Sequence, residues 1–127
     1  MANLVSLKRK REFDAVFERG RKRGNRYLGV LVLSGEQGAG VRYGLIVSRK
    51  NAGNAVRRNL LRRRLREALR LLLTGVSPDL DVVLVARAGA VQMSFWDIVD
   101  VIQRGLPSHL QELSAANVAS ARTGVHP

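Results

Sequence analysis

Residues 54 to 70 hold the densest set of side chains able to do chemistry. Seven arginines, at 57, 58, 62, 63, 64, 66 and 70, stand against a single acid, Glu67. At about 3.6 residues per turn the stretch predicts a two-faced helix. Val56, Leu60, Leu61, Leu65, Ala68, Leu69 and Leu72 fall in an apolar stripe. Arg58, Arg62 and Arg66 repeat every fourth residue on another face, with Asn59, Arg63 and Arg70 on the row beside them and Arg57 at the start. Like charges four apart repel, by roughly a few tenths of a kcal/mol per pair. A helix that accepts several such pairs calls for an anionic partner to offset them, and phosphate is the obvious one.

The groups that hydrolysis would need are not arranged for it. Glu67 has no carboxylate three or four residues on. Asp79 and Asp81 flank a strand start, where turn and edge roles are normal, and Asp97 and Asp100 suit capping and solvent exposure. Ser, His and Asp are present without the spacing of a nucleophile, base and orienter. Gly35, Gly38 and Gly40 precede a strand rather than a helix, so they do not form a phosphate cradle. With no cysteine and only His109 and His126, neither a disulfide nor a thiolate or histidine metal cluster is expected.

The elements that must position the arginines read as follows. Residues 6–19 form a helix capped by Ser6 and ended by Gly20, with Leu7, Phe13, Val16 and Phe17 as its apolar side and Lys8, Arg9, Lys10 and Arg11 around its first turns. Cations at a helix start oppose its dipole, which again favours an anion nearby. Arg21 to Arg26 make a basic link. Tyr27–Leu33 and Val41–Ser48 read as two strands of an antiparallel hairpin, joined by the glycine-rich turn. Arg49–Gly53 is a loop, and the arginine helix follows to about Leu73. Asp81–Ala86 is a continuous apolar strand suited to a central position. Ser94, with Asp97 three residues on, caps a last helix whose core face is Phe95, Ile98, Val99, Ile102 and Leu106. Residues 114–127 read as a frayed or disordered tail, leaving 1–113 as one domain. The order α-β-β-α-β-α predicts an α/β (α+β) fold, a two-layer sandwich of helices on a small sheet.

The chain has 127 residues and a net charge of +12. Residues 1–70 carry 19 Lys/Arg and 5 Asp/Glu, and residues 71–127 carry 3 and 5, so the first part stands at +14 and the rest at −2. That asymmetry predicts a nucleic-acid surface on one side of a small fold. Of the basic residues 18 are Arg and 4 are Lys, and Arg favours bidentate phosphate contacts and base stacking. No apolar run reaches a membrane span, and no apolar segment follows the basic N-terminus as a secretory signal would, so a cytoplasmic location is expected. Bases are also recognised by stacking on aromatic rings. Phe13 and Phe17, four apart on the first helix, are candidates for either core packing or such a surface. Tyr27 could add to it or simply begin a strand.

These residues carry a resemblance. Val47-Ser-Arg-Lys50, Gly53-Asn-Ala-Val56 and Arg58-Asn-Leu-Leu-Arg-Arg63 with Arg66-Glu67 resemble the signature of the protein subunit of bacterial ribonuclease P. Leu7–Gly20 resembles that family's first helix, with Phe13 and Phe17 at its two aromatic positions, and Asp81–Arg87 its last strand. The match spans about residues 5–110. The resemblance implies a mixed sheet with a left-handed crossover through the arginine helix. It implies a non-catalytic subunit of an endoribonuclease whose RNA uses Mg²⁺ to cut the 5′ leader from precursor tRNA, the protein itself binding no cofactor. The leader would lie between the first helix and the sheet, lined by Phe13, Phe17, Tyr27 and Leu31. Arg49, Lys50, Arg57, Arg58, Asn59, Arg62, Arg63, Arg66 and Arg70 would face RNA, with further basic contacts from Lys8, Arg9, Lys10 and Arg11. Leu31 stands where many relatives have an aromatic, so stacking would rest on fewer rings. The loop Asn51-Ala52-Gly53 is one residue longer than in some members.

Three other classes compete. A structural RNA binder such as a ribosomal protein shares the composition. A DNA-binding repressor places its reading helix after another helix, whereas a strand precedes this one. A free-standing nuclease needs a metal or acid–base cluster. The partners expected are the catalytic RNA and the precursor leader, with neither membrane nor DNA.

Overall fold

The computed structural model describes residues 4–76 and 79–123. Its strands are β1 (Val5–Ser6), β2 (Arg21–Gly24), β3 (Leu28–Ser34), β4 (Val41–Val47) and β5 (Leu80–Ala86). The helices are α1 (Lys10–Arg19), α2 (Arg49–Ala52), α3 (Ala55–Leu72), α4 (Phe95–Gly105) and α5 (Ser108–Thr123), with a short 3-10 turn at Ala90–Gln92.

The sheet order is β1-β4-β5-β3-β2. β5 lies in the middle, parallel to β4 and antiparallel to β3. Its sequence explains the position. Val82 and Leu84 enter the main core, while Val83 enters a second cluster on the opposite face with Val85 packed against it. A strand apolar on both faces belongs between neighbours. The expected hairpin of residues 27–48 therefore does not form: β5 separates its two strands. The hairpin that does form is β2–β3. Arg21 to Arg26, read as a link, supplies the sheet's edge strand and the turn, where Asn25 Oδ1 accepts from the N–H groups of Tyr27 and Leu28, both at 2.9 Å. The Ser34–Gly40 connection is tied to the start of β5 instead. The Asp79 carboxylate accepts from the N–H groups of Gly38 at 2.8 Å and Gly40 at 2.6 Å.

α3, α4 and α5 cover one face of the sheet around Leu61, Leu65, Leu69, Ile98 and Ile102. α1 alone crosses the other face, on Leu31 and Val83. It is shorter than expected. Ser6 lies in β1, which pairs with β4, and Arg9 is the N-cap residue; the Glu12 carboxylate accepts from the Arg9 N–H at 2.9 Å. Gly20 follows with an extended backbone, φ −71°. A side chain there would collide with the Val16 carbonyl, so close approach rather than a left-handed turn accounts for the glycine. Arg49–Gly53 contains the single turn α2, closed by Gly53 at φ +79°.

The expected tail is helical through Thr123; residues 124–127 lie outside the described residues. Leu110, Ser114 and Val118, four apart, are buried against the main core. The Gln111 amide donates to the carbonyls of Gln103 and Leu106, 2.6 and 2.8 Å away, where α4 ends. Arg122 sits over the Trp96 ring at 4.5 Å. Among the described residues no helix is long and apolar enough to cross a membrane.

Candidate nucleic-acid interface

α3 starts at Asn54, whose side chain accepts from the Arg57 N–H at 2.9 Å. Leu61, Leu65, Ala68, Leu69 and Leu72 bury its inner stripe. Val56 and Leu60, assigned to the same stripe, do not join it: they are 77% and 38% exposed. At about 3.6 residues per turn both lie well round the helix from the arc of Leu61, Leu65, Ala68, Leu69 and Leu72, on its outer side.

The arginines divide by what holds them. Arg64 is turned inward and donates to the Met93 carbonyl at 3.2 Å, fixing α3 to the segment before α4. Arg70 pairs with Glu67 at 2.8 Å. Arg57, Arg58, Arg62, Arg63 and Arg66 make no ion pair among the described residues. Asn59 lies exposed among them, and Arg49 and Lys50 stand exposed on α2.

The second surface lies between α1 and the sheet. Phe13 and Phe17 pack half-buried against Leu7, Val16, Leu31 and Val83, with Ile46 and Val85 beside them. The Phe13 ring occupies the space a side chain at Gly44 would need. Leu31 is 4% exposed and forms the floor under α1 rather than an open wall. Tyr27 is not on this surface. Strand alternation would put it on the side of Leu31 and Leu33, but β3 begins one residue later than expected, and Tyr27, still in the turn, packs with the opposite, main core, its ring against Gly89.

One ion-pair network sets the spacing of α1 from the sheet, and sequence reasoning missed it. Arg42 on β4 binds both carboxylate oxygens of Asp81 on β5, each at 2.8 Å, and Glu12 on α1 at 2.7 Å. The exposure of these side chains is 12%, 5% and 17%, so water screens the network weakly. The Glu12 carboxyl is held below its ordinary value of 4.5, first by the Arg9 N–H, then by the Lys8 N–H and the Arg42 charge. The only sequence signal was alternation, which puts Arg42 and Asp81 on the same faces of neighbouring strands. Lys8, Arg9, Lys10 and Arg11 are exposed where α1 begins, Lys10 pairing with Asp14 at 2.8 Å. Also missed was Arg87, just beyond β5, whose guanidinium lies over Gly29 and donates to the Asn25 carbonyl at 2.8 Å.

Among the described residues no group of three or more His, Cys, Asp or Glu could hold a metal ion. The arrangement can bind an extended polyanion on two surfaces: an open arginine row, and an apolar face with aromatic rings at its margin.

Comparison with known proteins agrees. A family model described as Ribonuclease P matches residues 1–109. The ribonuclease P protein component of Exiguobacterium sibiricum is 40% identical over 97 residues, covering 76% of this chain and 83% of that protein. That of Listeria innocua is 35% identical over 98 residues, covering 77% and 82%. Among solved structures, the RNase P protein of Staphylococcus aureus superposes with a TM-score of 0.66 at 25% identity, over 79% of this chain and 90% of that one. The Thermotoga maritima protein gives 0.64 at 28% identity, over 84% and 96%.

Proposed function

The chain belongs to the ribonuclease P protein family, and from that membership we propose how its two surfaces divide the work. It is the protein component of ribonuclease P, the ribonucleoprotein endoribonuclease of tRNA 5′ processing, in which the RNA is the catalyst. Its partner is therefore the ribonuclease P RNA. In our reading the row Arg58, Arg62, Arg66, with Asn59, Arg63, Arg49 and Lys50, meets that RNA. The face between α1 and the sheet receives the 5′ leader of the precursor.

The physics supports this division. A leader is single-stranded and varies between tRNAs, so contacts to phosphates and base faces serve it better than base-edge hydrogen bonds. Phe13 and Phe17 offer ring surface beside exposed Lys8, Arg9 and Arg11. Guanidinium groups free of carboxylates suit a folded RNA backbone. The observation that carries the reading is the α3 row itself: five arginines without an ion pair among the described residues, on a helix otherwise tied to the core. Mg²⁺ in this reading serves the RNA, with no ligand from the protein, and the chain works on precursor tRNA in the cytoplasm.

Reconstitution tests it. The purified chain, mixed with ribonuclease P RNA at low Mg²⁺, is expected to stimulate 5′ cleavage of precursor tRNA; absence of stimulation overturns the reading. The leader assignment has its own check. Phe17→Leu keeps the apolar packing and removes the ring, and is expected to weaken binding of leader-bearing precursor by about 1 kcal/mol, with mature tRNA unaffected.

A further inference from the structure

The open edge of the sheet carries cations that neither surface uses. β2 is the last strand on its side, with one row of backbone groups unpaired. Between β2 and α4 runs a groove of about 430 Å³, lined by Lys22, Arg23, Asn25 and Arg104 over Gly24 and Gly105. Arg23, paired with Val30, faces α4 and Arg104, whereas Lys22, paired with Leu31, faces the α1 side of the strand; none of the three makes an ion pair among the described residues. Asp97 and Asp100 line the adjoining groove beneath Tyr27, which shares Asn25, Val101 and Arg104 with this one, but neither acid pairs with Arg104. Asn25 uses its carbonyl oxygen to close the β2–β3 turn, which leaves its amide N–H groups to donate. Charge on an edge strand discourages pairing with foreign strands, and one lysine suffices for that. It does not call for a cation on the facing helix, and Arg104 is one.

The groove connects to the face crossed by α1. On that face the β2–β3 register pairs Lys22 with Leu31 and Gly24 with Gly29. Two partnered glycines bring no side chain of their own to this notch at the end of the hairpin, and the Arg87 guanidinium fills the space over Gly29. A single strand crossing the sheet edge here meets that guanidinium, one more cation for its backbone.

We infer that the β2–α4 groove is a second phosphate site for the upstream part of the precursor leader, reached from the α1 face over the Gly24–Gly29 notch. This rests on the leader assignment made above. The ligand is the sugar–phosphate backbone of single-stranded RNA. Arg23 and Arg104 bind it without regard to sequence, and the site fills only when the leader is long enough to pass the notch.

The test compares two precursor tRNAs in the reconstituted holoenzyme, one with a leader that ends within the α1 face and one with a leader extended well beyond it. The double variant Arg23→Ala, Arg104→Ala is expected to bind the long-leader precursor about fivefold more weakly at low salt, its log–log salt slope smaller by about 1.4, two contacts at about 0.7 each. Short-leader binding is expected to match the wild type. Both side chains are exposed, so melting temperature should be unchanged. Should the double variant fold poorly, Arg104→Glu alone reads the same difference. Equal affinities of variant and wild type for the long leader overturn the proposal. So does weakened binding of the variant to the catalytic RNA without precursor, which would assign the groove to that RNA. Failure of the leader assignment itself looks different: Phe17→Leu would then leave even short-leader binding unchanged.

Discussion

At the scale of single residues, the arginines of α3 show that side-chain type does not settle role. Arg64 and Arg70 are committed within the protein, one to the Met93 carbonyl and one to Glu67. Arg62 and Arg66 are not. Replacing either by Ala is expected to leave folding intact, weaken RNA binding, and lower the salt slope by about 1; titrations at several salt concentrations check this, and an unchanged slope rejects the assignment. Arg42 behaves oppositely. Asp81→Asn removes a bidentate partner and leaves the guanidinium nearly buried with Glu12 alone, a loss of roughly 3 kcal/mol measurable by denaturant unfolding. Glu12 also predicts a pH effect. Its carboxyl titrates lower in the folded chain than its ordinary 4.5. The stabilisation is therefore complete above that value and is lost as pH falls through the folded one. Glu12→Gln is expected to flatten the acid limb of stability below about pH 4.5, where the wild type falls away.

At the scale of elements, local signals proved legible and long-range ones did not. The helix over 55–72, the strand at 80–86 and the Ser94–Asp97 capping box all follow from periodicity and capping chemistry within a few residues, while the Asn54 cap was not read. The pairing of β3 was not legible. Neighbouring strands usually pair, and only the two-sided apolarity of β5 says that it must stand between β3 and β4. α5 was missed because Ser114, Ala115, Ala116, Ala119 and Ser120 give almost no amphipathic contrast. Its docking rests on Leu110 and Val118, visible only once α3 and α4 are in place. Leu61 and Leu65 were read correctly as core, Val56 and Leu60 were not, since at about 3.6 residues per turn they fall outside the buried arc. Leu65→Ala is expected to cost about 2–5 kcal/mol through a cavity, and Leu60→Ala less than about 0.5 kcal/mol; equal losses in denaturant unfolding would contradict this placement. Of the two candidate surfaces, the unpaired arginines of α3 and the placing of the phenylalanine pair on α1 were legible. Arg42, Arg87 and the β2 edge were not, because each depends on which strand lies beside which.

At the scale of the whole molecule, the charge asymmetry of the sequence becomes a division of labour in space. The near-neutral second part, residues 71–127, supplies β5, α4 and α5, which cover the apolar side of α3 and free its arginines to face outward. α5 adds to that covering beyond the 1–109 span of the family match. Ending the chain at Pro107 is expected to lower the melting temperature while RNA affinity at low temperature is kept. Trp96, the single tryptophan, reports the change through its fluorescence, since Arg122 no longer stacks on it. The central place of β5 has a further consequence, in time. β5 is the last strand made, and both long neighbours wait for it. Until Ala86 has emerged from the ribosome, β3 and β4 share no partner and the leucines of α3 have no sheet to cover. The most basic part of the chain is thus finished before anything can fold beneath it, in a cell full of RNA. Synthesis must run on through β5 before that positive charge is held in one shape, and a nascent chain halted before residue 80 would be a polycation without a fold.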